Sequence, residues 1–255
     1  MKRTLILLSL GLSTLSTSCS TVGVTGQVGY TNMSVGGNMA LASGTGGVPS
    51  SANQDVGSAF GLGEGQGSPY LRGQIDCGVP VFTASGFLFE EAGSGVLNAT
   101  FGGLSASTPV NSTLEFANLK LSSTFDIDLG PVKVSPGLGL DLFDLRFKAT
   151  ETTLGNSEEI DELVPVPMLF VRGEADLFLC SLVAEAGYLQ TPDINGTKAS
   201  CLDLEAMLEW SLAPMVQVFA GYRRIDIDWR GETDTESYDL SLTVDGWMIG
   251  GGLRF

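Results

Sequence analysis

Apolar and polar residues alternate with a period of two along most of the chain, and this pattern predicts β-strands. The clearest example is the C-terminal segment 239–255, in which Trp247, Ile249, Leu253 and Phe255 share one face. A closed membrane barrel needs a complete last strand, because an unpaired edge is not tolerated in lipid. We therefore expect this segment to close a barrel by pairing with the first strand.

Connections between the alternating segments are short at one end and long at the other. This asymmetry is typical of outer-membrane barrels, with short periplasmic turns and longer extracellular loops. It predicts one all-β domain over 21–255, a closed antiparallel transmembrane β-barrel of about ten strands, with about eight as the alternative. The glycine-rich stretch 36–67 lacks periodicity and is predicted to be a long loop. The predicted strands are 21–33, 69–76, 81–90, 113–127, 132–150, 163–175, 177–190, 199–211, 215–229 and 239–255.

One apolar row per strand is predicted to face lipid, with aromatic residues at both ends of the rows. Such rings favour the lipid–water boundary because they combine an apolar body with a polar edge. The sequence therefore predicts two aromatic girdles. The girdle at the short turns comprises Phe125, Phe178, Trp210 and Phe255, and the girdle near the long loops comprises Tyr30, Phe147, Tyr188 and Trp229.

The parity of the apolar row changes within three strands. Leu145 and Phe147, for example, are out of phase with Leu138 on the same predicted strand. A β-bulge would restore an outward row, since it inserts one extra residue. We expect bulges near Phe143 and Arg223-Arg224 and a third irregularity near Asp245-Gly246.

Charged residues on the opposite faces are predicted to point into the barrel lumen. Two interpretations stay open: a network of ion pairs that fills a narrow barrel, or a narrow polar path for small solutes. The predicted lumen residues are Arg72, Lys120, Asp141, Arg146, Arg172, Glu174, Glu185, Asp203, Glu205, Glu209, Arg224 and Asp226.

Composition narrows the function classes. The net charge is −16 with 13 basic residues, which argues against a nucleic-acid partner. The chain has no histidine, so Ser-His-Asp and Cys-His nucleophile systems and most zinc sites are excluded. Asp203 and Glu205 share a face and could divide acid and base roles, but no nucleophile, oxyanion site or metal-ligand set accompanies them. We expect a protein that is not an enzyme and that uses no cofactor or metal.

The first twenty residues resemble a secretory signal peptide. Lys2 and Arg3 precede an apolar run at 5–12, which is followed by small and hydroxyl residues. The stretch that ends at Cys19 resembles a bacterial lipoprotein cleavage box, although Ser16 stands where the pattern has an aliphatic residue. Lipidation of Cys19 and ordinary cleavage nearby both stay open.

Several stretches within 117–255 resemble small outer-membrane β-barrel proteins of Gram-negative bacteria whose role is undefined. They are SSTFDIDLGPVKVSPGLGLDLFDLRF, VPVPMLFVRGEADL, VAEAGYL, FAGYRRIDIDW and VDGWMIGGGLRF. The resemblance implies a location in the outer membrane, contact with membrane lipid and lipopolysaccharide, and assembly by the barrel-assembly machinery through the C-terminal strand. It brings no catalytic or ligand-binding residues.

The expected function is a structural, surface-interaction or narrow-channel role in the outer membrane. The alternative is a soluble secreted or periplasmic barrel that binds a lipid or another apolar ligand. In that case the apolar rows would lie inside the barrel and the carboxylates outside.

Overall fold

A computed structural model describes residues 22–43, 54–192, 198–232 and 236–255. The predicted signal peptide at 1–20, with Cys19, lies outside these ranges. The elements are β1 (Gly23–Ser43), β2 (Gln54–Asp55), α1 (Val56–Phe60), β3 (Gln66–Asp76), β4 (Val81–Val96), β5 (Pro109–Thr124), β6 (Ile127–Asp128), β7 (Val132–Glu151), β8 (Ser157–Leu177), β9 (Cys180–Gln190), β10 (Lys198–Ala213), β11 (Val216–Glu232) and β12 (Glu236–Arg254).

The strands form one closed antiparallel sheet. Neighbours in sequence pair around the ring, and β12 pairs with β1 to close it. Two of the twelve strands in the described ranges, β2 and β6, have two residues each, so the other ten form the barrel wall. The prediction of a ten-stranded barrel is confirmed, and the eight-stranded alternative is excluded.

Several strands run farther than predicted at the long-loop end. β1 continues to Ser43, which pairs with Glu236 in an unbroken register, and β4 extends to Val96. The predicted loop over 36–67 is therefore wrong in part, since it contains the end of β1, β2, α1 and the start of β3. Backbone pairing with two neighbouring strands overrides the low β-propensity of glycine there.

Apolar side chains cover the outside of the barrel at the short-turn end. Val28, Leu71 and Leu169 are exposed by 62%, 60% and 72%. These outward residues form a band, called here the lipid band, whose upper edge is marked by exposed rings. The rings are those of Tyr30, Tyr188, Tyr222 and Trp247.

Above the lipid band the inner face of the wall is apolar and the outer face is charged, which is the reverse of the arrangement within the band. Leu145 and Phe147 point inward and are buried, while Asp144 and Arg146 lie on the outer face. Along β7 the registers with β5 and β8 are continuous through Phe143, so the predicted bulge there is absent. The alternation of inward and outward side chains therefore continues unchanged along the strand. What changes is which face is apolar, and this depends on the medium that surrounds the barrel.

The same explanation corrects the other two predicted irregularities. The register between β11 and β12 is continuous through Arg223-Arg224 and through Asp245-Gly246. Leu242 lies inside and Trp247 outside without a bulge between them. Once the wall stands in water, its inner face becomes the buried face, as in a soluble protein.

The aromatic girdles are corrected in two positions. Phe147 and Trp229 are buried in the core above the lipid band rather than at its edge. Trp247 and Tyr222 occupy the outer edge instead, and the Trp247 ring lies 6.0 Å from that of Tyr30. The remaining predicted members are exposed or partly exposed on the outer wall: Tyr30, Tyr188, Phe125, Phe178, Trp210 and Phe255.

An apolar core fills the barrel above the lipid band. Two segments from the long-loop end fold into it, α1 and the loop 97–104, which together are called here the cap. The ring of Phe60 on α1 lies 5.2 Å from Phe101 of the loop and 4.7 Å from Phe147 of the wall. No helix in the described ranges is long and apolar enough to cross a membrane.

Candidate functional site

A cluster of charged side chains occupies the lumen at the level of the lipid band. We call it the charge cluster. Its side chains are at most 4% exposed, so it is screened from water on all sides. The members come from five strands, β3, β5, β9, β10 and β11, and are Arg72, Lys120, Glu185, Asp203, Glu205 and Arg223.

Arg72 reaches from β3 to two carboxylates on the far wall. Its Nη1 donates to Glu205 Oε1 at 2.9 Å, and its Nη2 donates to Glu185 Oε1. Tyr70, two residues earlier on the same strand, donates its hydroxyl to Glu205 Oε1 at 3.1 Å. Glu205 is thus held by two donors from one strand.

The other two cations complete the network. Lys120 Nζ lies 2.9 Å from Glu185 Oε2, 2.8 Å from Glu205 Oε2 and 3.4 Å from Asp203 Oδ2. Arg223 binds Asp203 through two parallel hydrogen bonds of 2.9 Å. This fork-to-fork geometry is the strongest form of a charge-assisted hydrogen bond.

The strand register explains why the charge cluster connects opposite sides of the barrel. Glu185, Glu205 and Arg223 lie side by side on β9, β10 and β11. Two carboxylates in direct register repel each other, so they need cations from elsewhere. Arg72 and Lys120 on the facing strands supply these cations across the lumen.

Asp141 adds a fourth carboxylate beside three cations. It lies in register with Lys120 on β5 and is 1% exposed. Neither of its carboxylate oxygens has a hydrogen-bond partner among the described residues. The buried charges thus carry one more acid than base, and a charge in such a place is costly to keep unpaired.

A small polar vestibule lies below the cluster, toward the short turns. Its cavity measures about 40 Å³. Arg172 donates to Gln74 Oε1 at 2.7 Å and to Glu174 Oε2 at 3.0 Å, and Gln27 donates to Glu209 Oε1 at 2.7 Å. These bonds connect side chains of β1, β3, β8 and β10 in the lower part of the lumen.

The structure separates the twelve predicted lumen residues into two groups. Seven are buried inside the barrel: Arg72, Lys120, Asp141, Arg172, Glu185, Asp203 and Glu205. Glu174 and Glu209 line the vestibule.

The prediction is wrong for the other three, Arg146, Arg224 and Asp226. They lie on the outer face, where the side chains of Arg146 and Arg224 are 39% and 50% exposed. Their predicted place in the lumen depends on the β-bulges, and the register is continuous at those points.

Sequence reasoning missed Arg223, the most buried cation. The signal was present, since Gln217, Phe219, Arg223 and Ile225 keep one parity along β11 and all point inward. An unbroken period of two would have placed Arg223 inside. Tyr70 was missed in the same way.

Above the cluster, polar anchors hold the cap in place. Glu91 Oε1 accepts hydrogen bonds of 2.7 Å from the backbone N–H groups of Gly63 and Glu64. Burial raises the pKa of Glu91, and these two N–H donors oppose the rise. At the end of α1, Gly61 has φ 68°, and a Cβ there would clash with the backbone of Ser94.

The charge cluster links opposite sides of the barrel through ion pairs. Asp203 and Glu205 each contact two or more cations. Removing one partner of such a buried ion pair leaves an uncompensated charge, which is strongly destabilising. The arrangement occupies the lumen at the level of the lipid band.

Comparisons with known proteins address the fold. The sequence matches no protein-family model and no curated protein. The structure is similar to the outer membrane protease OmpT from Escherichia coli, with a TM-score of 0.55, 9% identity and coverage of 95% of this chain and 98% of that chain.

Weaker similarities involve two other barrels. The attachment invasion locus protein Ail of Yersinia pestis, in complex with the heparin analogue sucrose octasulfate, has a TM-score of 0.40, 12% identity and coverage of 92% of this chain and 99% of that chain. The translocator domain of the autotransporter NalP from Neisseria meningitidis has a TM-score of 0.41, 15% identity and coverage of 92% and 87%. Such identities concern the fold alone, and the fold of this chain is that of outer-membrane β-barrels.

Proposed function

We propose that the protein is a closed barrel of the bacterial outer membrane, which carries a rigid, charged upper part above the lipid for interactions at the cell surface. The observation that carries this proposal is the filled lumen. The charge cluster blocks it at the level of the lipid band, and the apolar core with the cap blocks it above. A narrow-channel role finds no support in this geometry.

The outer face above the lipid band supports a surface role. It carries many carboxylates and a smaller number of cations, among them the pairs Arg224–Asp226 and Arg230–Asp239 at 2.8 Å and 2.6 Å. Charged residues on a protruding sheet keep it soluble and set which partners approach. The long strands hold this surface at a fixed distance from the membrane.

A non-catalytic role is part of the proposal. Asp203 and Glu205, the carboxylate pair considered for acid-base chemistry, are buried within ion pairs. The similarity to a protease rests on 9% identity and carries no catalytic residue to this chain.

Conductance across a planar bilayer tests the proposal. We expect the refolded protein to give no discrete current steps above the detergent background, with an open porin reconstituted in parallel as the positive control. The filled lumen leaves no continuous water path for ions. Reproducible steps from protein shown to be folded would reject the closed barrel and favour the narrow channel.

A further inference from the structure

A groove crosses the outer wall within the lipid band, where a barrel would ordinarily present a ridged apolar surface. Its floor is made of outward positions that lack large side chains. Gly26, Gly73 and Ala84 are register partners and form a continuous row across β1, β3 and β4. The groove has a volume of about 1080 Å³.

Large apolar residues flank this floor. Val28 and Leu71 stand on one side in the next row of the register, and Leu88 and Leu119 continue the wall on β4 and β5. All four are exposed to the surroundings of the barrel. The result is a channel-like depression with apolar walls, open toward the lipid.

The groove leads upward into a pocket that has both apolar and charged side chains, at the edge of the lipid band. Leu88, Ala117 and Asp144 line both the groove and this pocket, which has a volume of about 210 Å³. Arg146, Glu90 and Glu115 complete its charged part. We call this upper pocket the rim pocket. An apolar groove that is continuous with a charged pocket matches the two halves of a lipid molecule.

Arg146 is loosely held in the rim pocket. Its Nη1 lies 3.5 Å from Glu115 Oε2, and its Nε lies 3.6 Å from Asp144 Oδ1 and 3.4 Å from Asp161 Oδ1. These separations exceed the length of a good hydrogen bond, and Nε, which is itself buried, has no hydrogen-bond partner in the described part of the chain. The side chain is 39% exposed, so its terminal N–H groups, rather than Nε, are available to a phosphate, an anion whose geometry a guanidinium matches.

The charge around Arg146 selects among phosphate headgroups. The four carboxylates around it outnumber this single cation and would repel a purely anionic lipid; they are Glu90, Glu115, Asp144 and Asp161. A headgroup that carries an ammonium next to its phosphate satisfies both signs, with the phosphate on Arg146 and the ammonium on the carboxylates. We propose that the groove and the rim pocket bind one phospholipid with a phosphoethanolamine headgroup.

A second copy of the chain fits this surface less well. In a two-fold dimer the same patch faces itself, so each acidic rim pocket would approach the other. The lipid proposal rests on the membrane placement within the proposed function but not on the closed lumen. A conducting barrel would leave it intact, and an empty groove would leave the closed barrel intact.

Native mass spectrometry of the detergent-solubilised protein provides the test. Phosphatidylethanolamine and phosphatidylglycerol with identical acyl chains are titrated in the presence of EDTA. We expect one phosphatidylethanolamine per barrel and a preference of about tenfold over phosphatidylglycerol, equivalent to about 1.4 kcal/mol. Equal binding of the two lipids would overturn the proposed headgroup recognition.

Variants locate the site. Gly73→Leu fills the floor, and a Cβ at this position meets no atom within 4 Å, so the wall tolerates the change. We expect it to weaken phosphatidylethanolamine binding about tenfold, and Arg146→Gln to weaken it about fivefold, as for the loss of a charge-assisted bond. Gly26→Leu, which is equally unobstructed, is the second groove variant should Gly73→Leu fail to fold.

Gly173→Leu is the matched control. Gly173 lies on the outer face of β8 away from the groove, and a Cβ there meets only Ala184 O, at 4.0 Å. Its binding is expected to equal that of the unmodified protein. Identical binding by Gly73→Leu and Gly173→Leu would reject the groove as the site. Binding of lipid A that requires a divalent cation, with no retained phosphatidylethanolamine, would reject the zwitterionic ligand.

Discussion

Two adjacent arginines on β11 illustrate how strongly the environment decides the role of a residue. Arg223 is buried in the charge cluster and forms two 2.9 Å hydrogen bonds with Asp203. Arg224 points outward above the lipid band and pairs with Asp226 on its own strand. The two residues are of the same type and adjacent on one strand. Replacing each in turn therefore tests what the charge cluster contributes to stability.

We expect Arg223→Met to destabilise the barrel by about 3–5 kcal/mol, because it leaves Asp203 as a buried, uncompensated charge. The midpoint of urea unfolding in detergent micelles measures this change. Heat-modifiable migration on a gel confirms that the variant still forms a barrel before it is titrated.

Arg224→Met is the matched control for this prediction. Its exposed side chain contacts a carboxylate that is also hydrogen-bonded by Thr243, so the unfolding midpoint should hardly change. An equal shift for both variants would mean that the charge cluster does not stabilise the barrel.

At the scale of elements, the cap depends on tertiary contacts. α1 has five residues, fewer than an isolated helix needs to be stable in water. Asp55 caps its first turn by accepting from Ser58 N–H at 2.7 Å. The remaining stabilisation comes from the apolar core, into which Phe60 inserts completely.

Phe60→Ala should therefore release the cap without opening the wall. Removal of this buried ring costs about 3–5 kcal/mol, because the cap loses its ring contacts with Phe101 and Phe147. Hydrogen–deuterium exchange is expected to accelerate by on the order of a hundredfold or more at the backbone of 56–62 and 97–104. Exchange in β9 and β10 should stay unchanged.

Phe178→Ala supplies the comparison, since Phe178 is fully exposed at a short turn. It should leave exchange in the cap at the level of the unmodified protein. Acceleration throughout the barrel in Phe60→Ala would show instead that the cap and the wall unfold as one unit.

At the scale of the whole molecule, the distribution of polar and apolar side chains differs between the lower and the upper part of the barrel. Within the lipid band it is polar inside and apolar outside. Above the band it has an apolar core and a charged surface, which is the arrangement expected of the soluble alternative. The change occurs at one level around the ring, marked by Tyr30, Tyr188, Tyr222 and Trp247.

Fluorescence quenching of the three tryptophans measures where the outer wall passes from lipid to water. In single-tryptophan variants reconstituted with brominated lipid, Trp210 and Trp247 on the outer wall should be strongly quenched. Trp229, packed at 5.9 Å from Phe143 in the core above the band, should remain close to unquenched. Strong quenching of Trp229 would place the lipid boundary higher than the exposed rings indicate.

Much of the fold could be predicted from the sequence because it depends on local alternation. Seven of the predicted lumen charges lie inside, since each follows the parity of its strand within the lipid band. The errors at Phe147, Trp229, Arg146, Arg224 and Asp226 share one cause, the assumption that the apolar side always faces lipid. Residues above the band violate that assumption without any change in backbone parity.

The sequence by itself determined the period of two, the number of long strands and the alternation of short and long connections, because these depend on neighbours in the chain. Only the tertiary structure decided which medium surrounds each face, how far the strands project beyond the lipid, and which charges meet across the lumen. Arg72 and Glu205 are far apart in sequence and meet only when the ring closes between β1 and β12. Burial and pairing are properties of the closed barrel, and no single strand contains them.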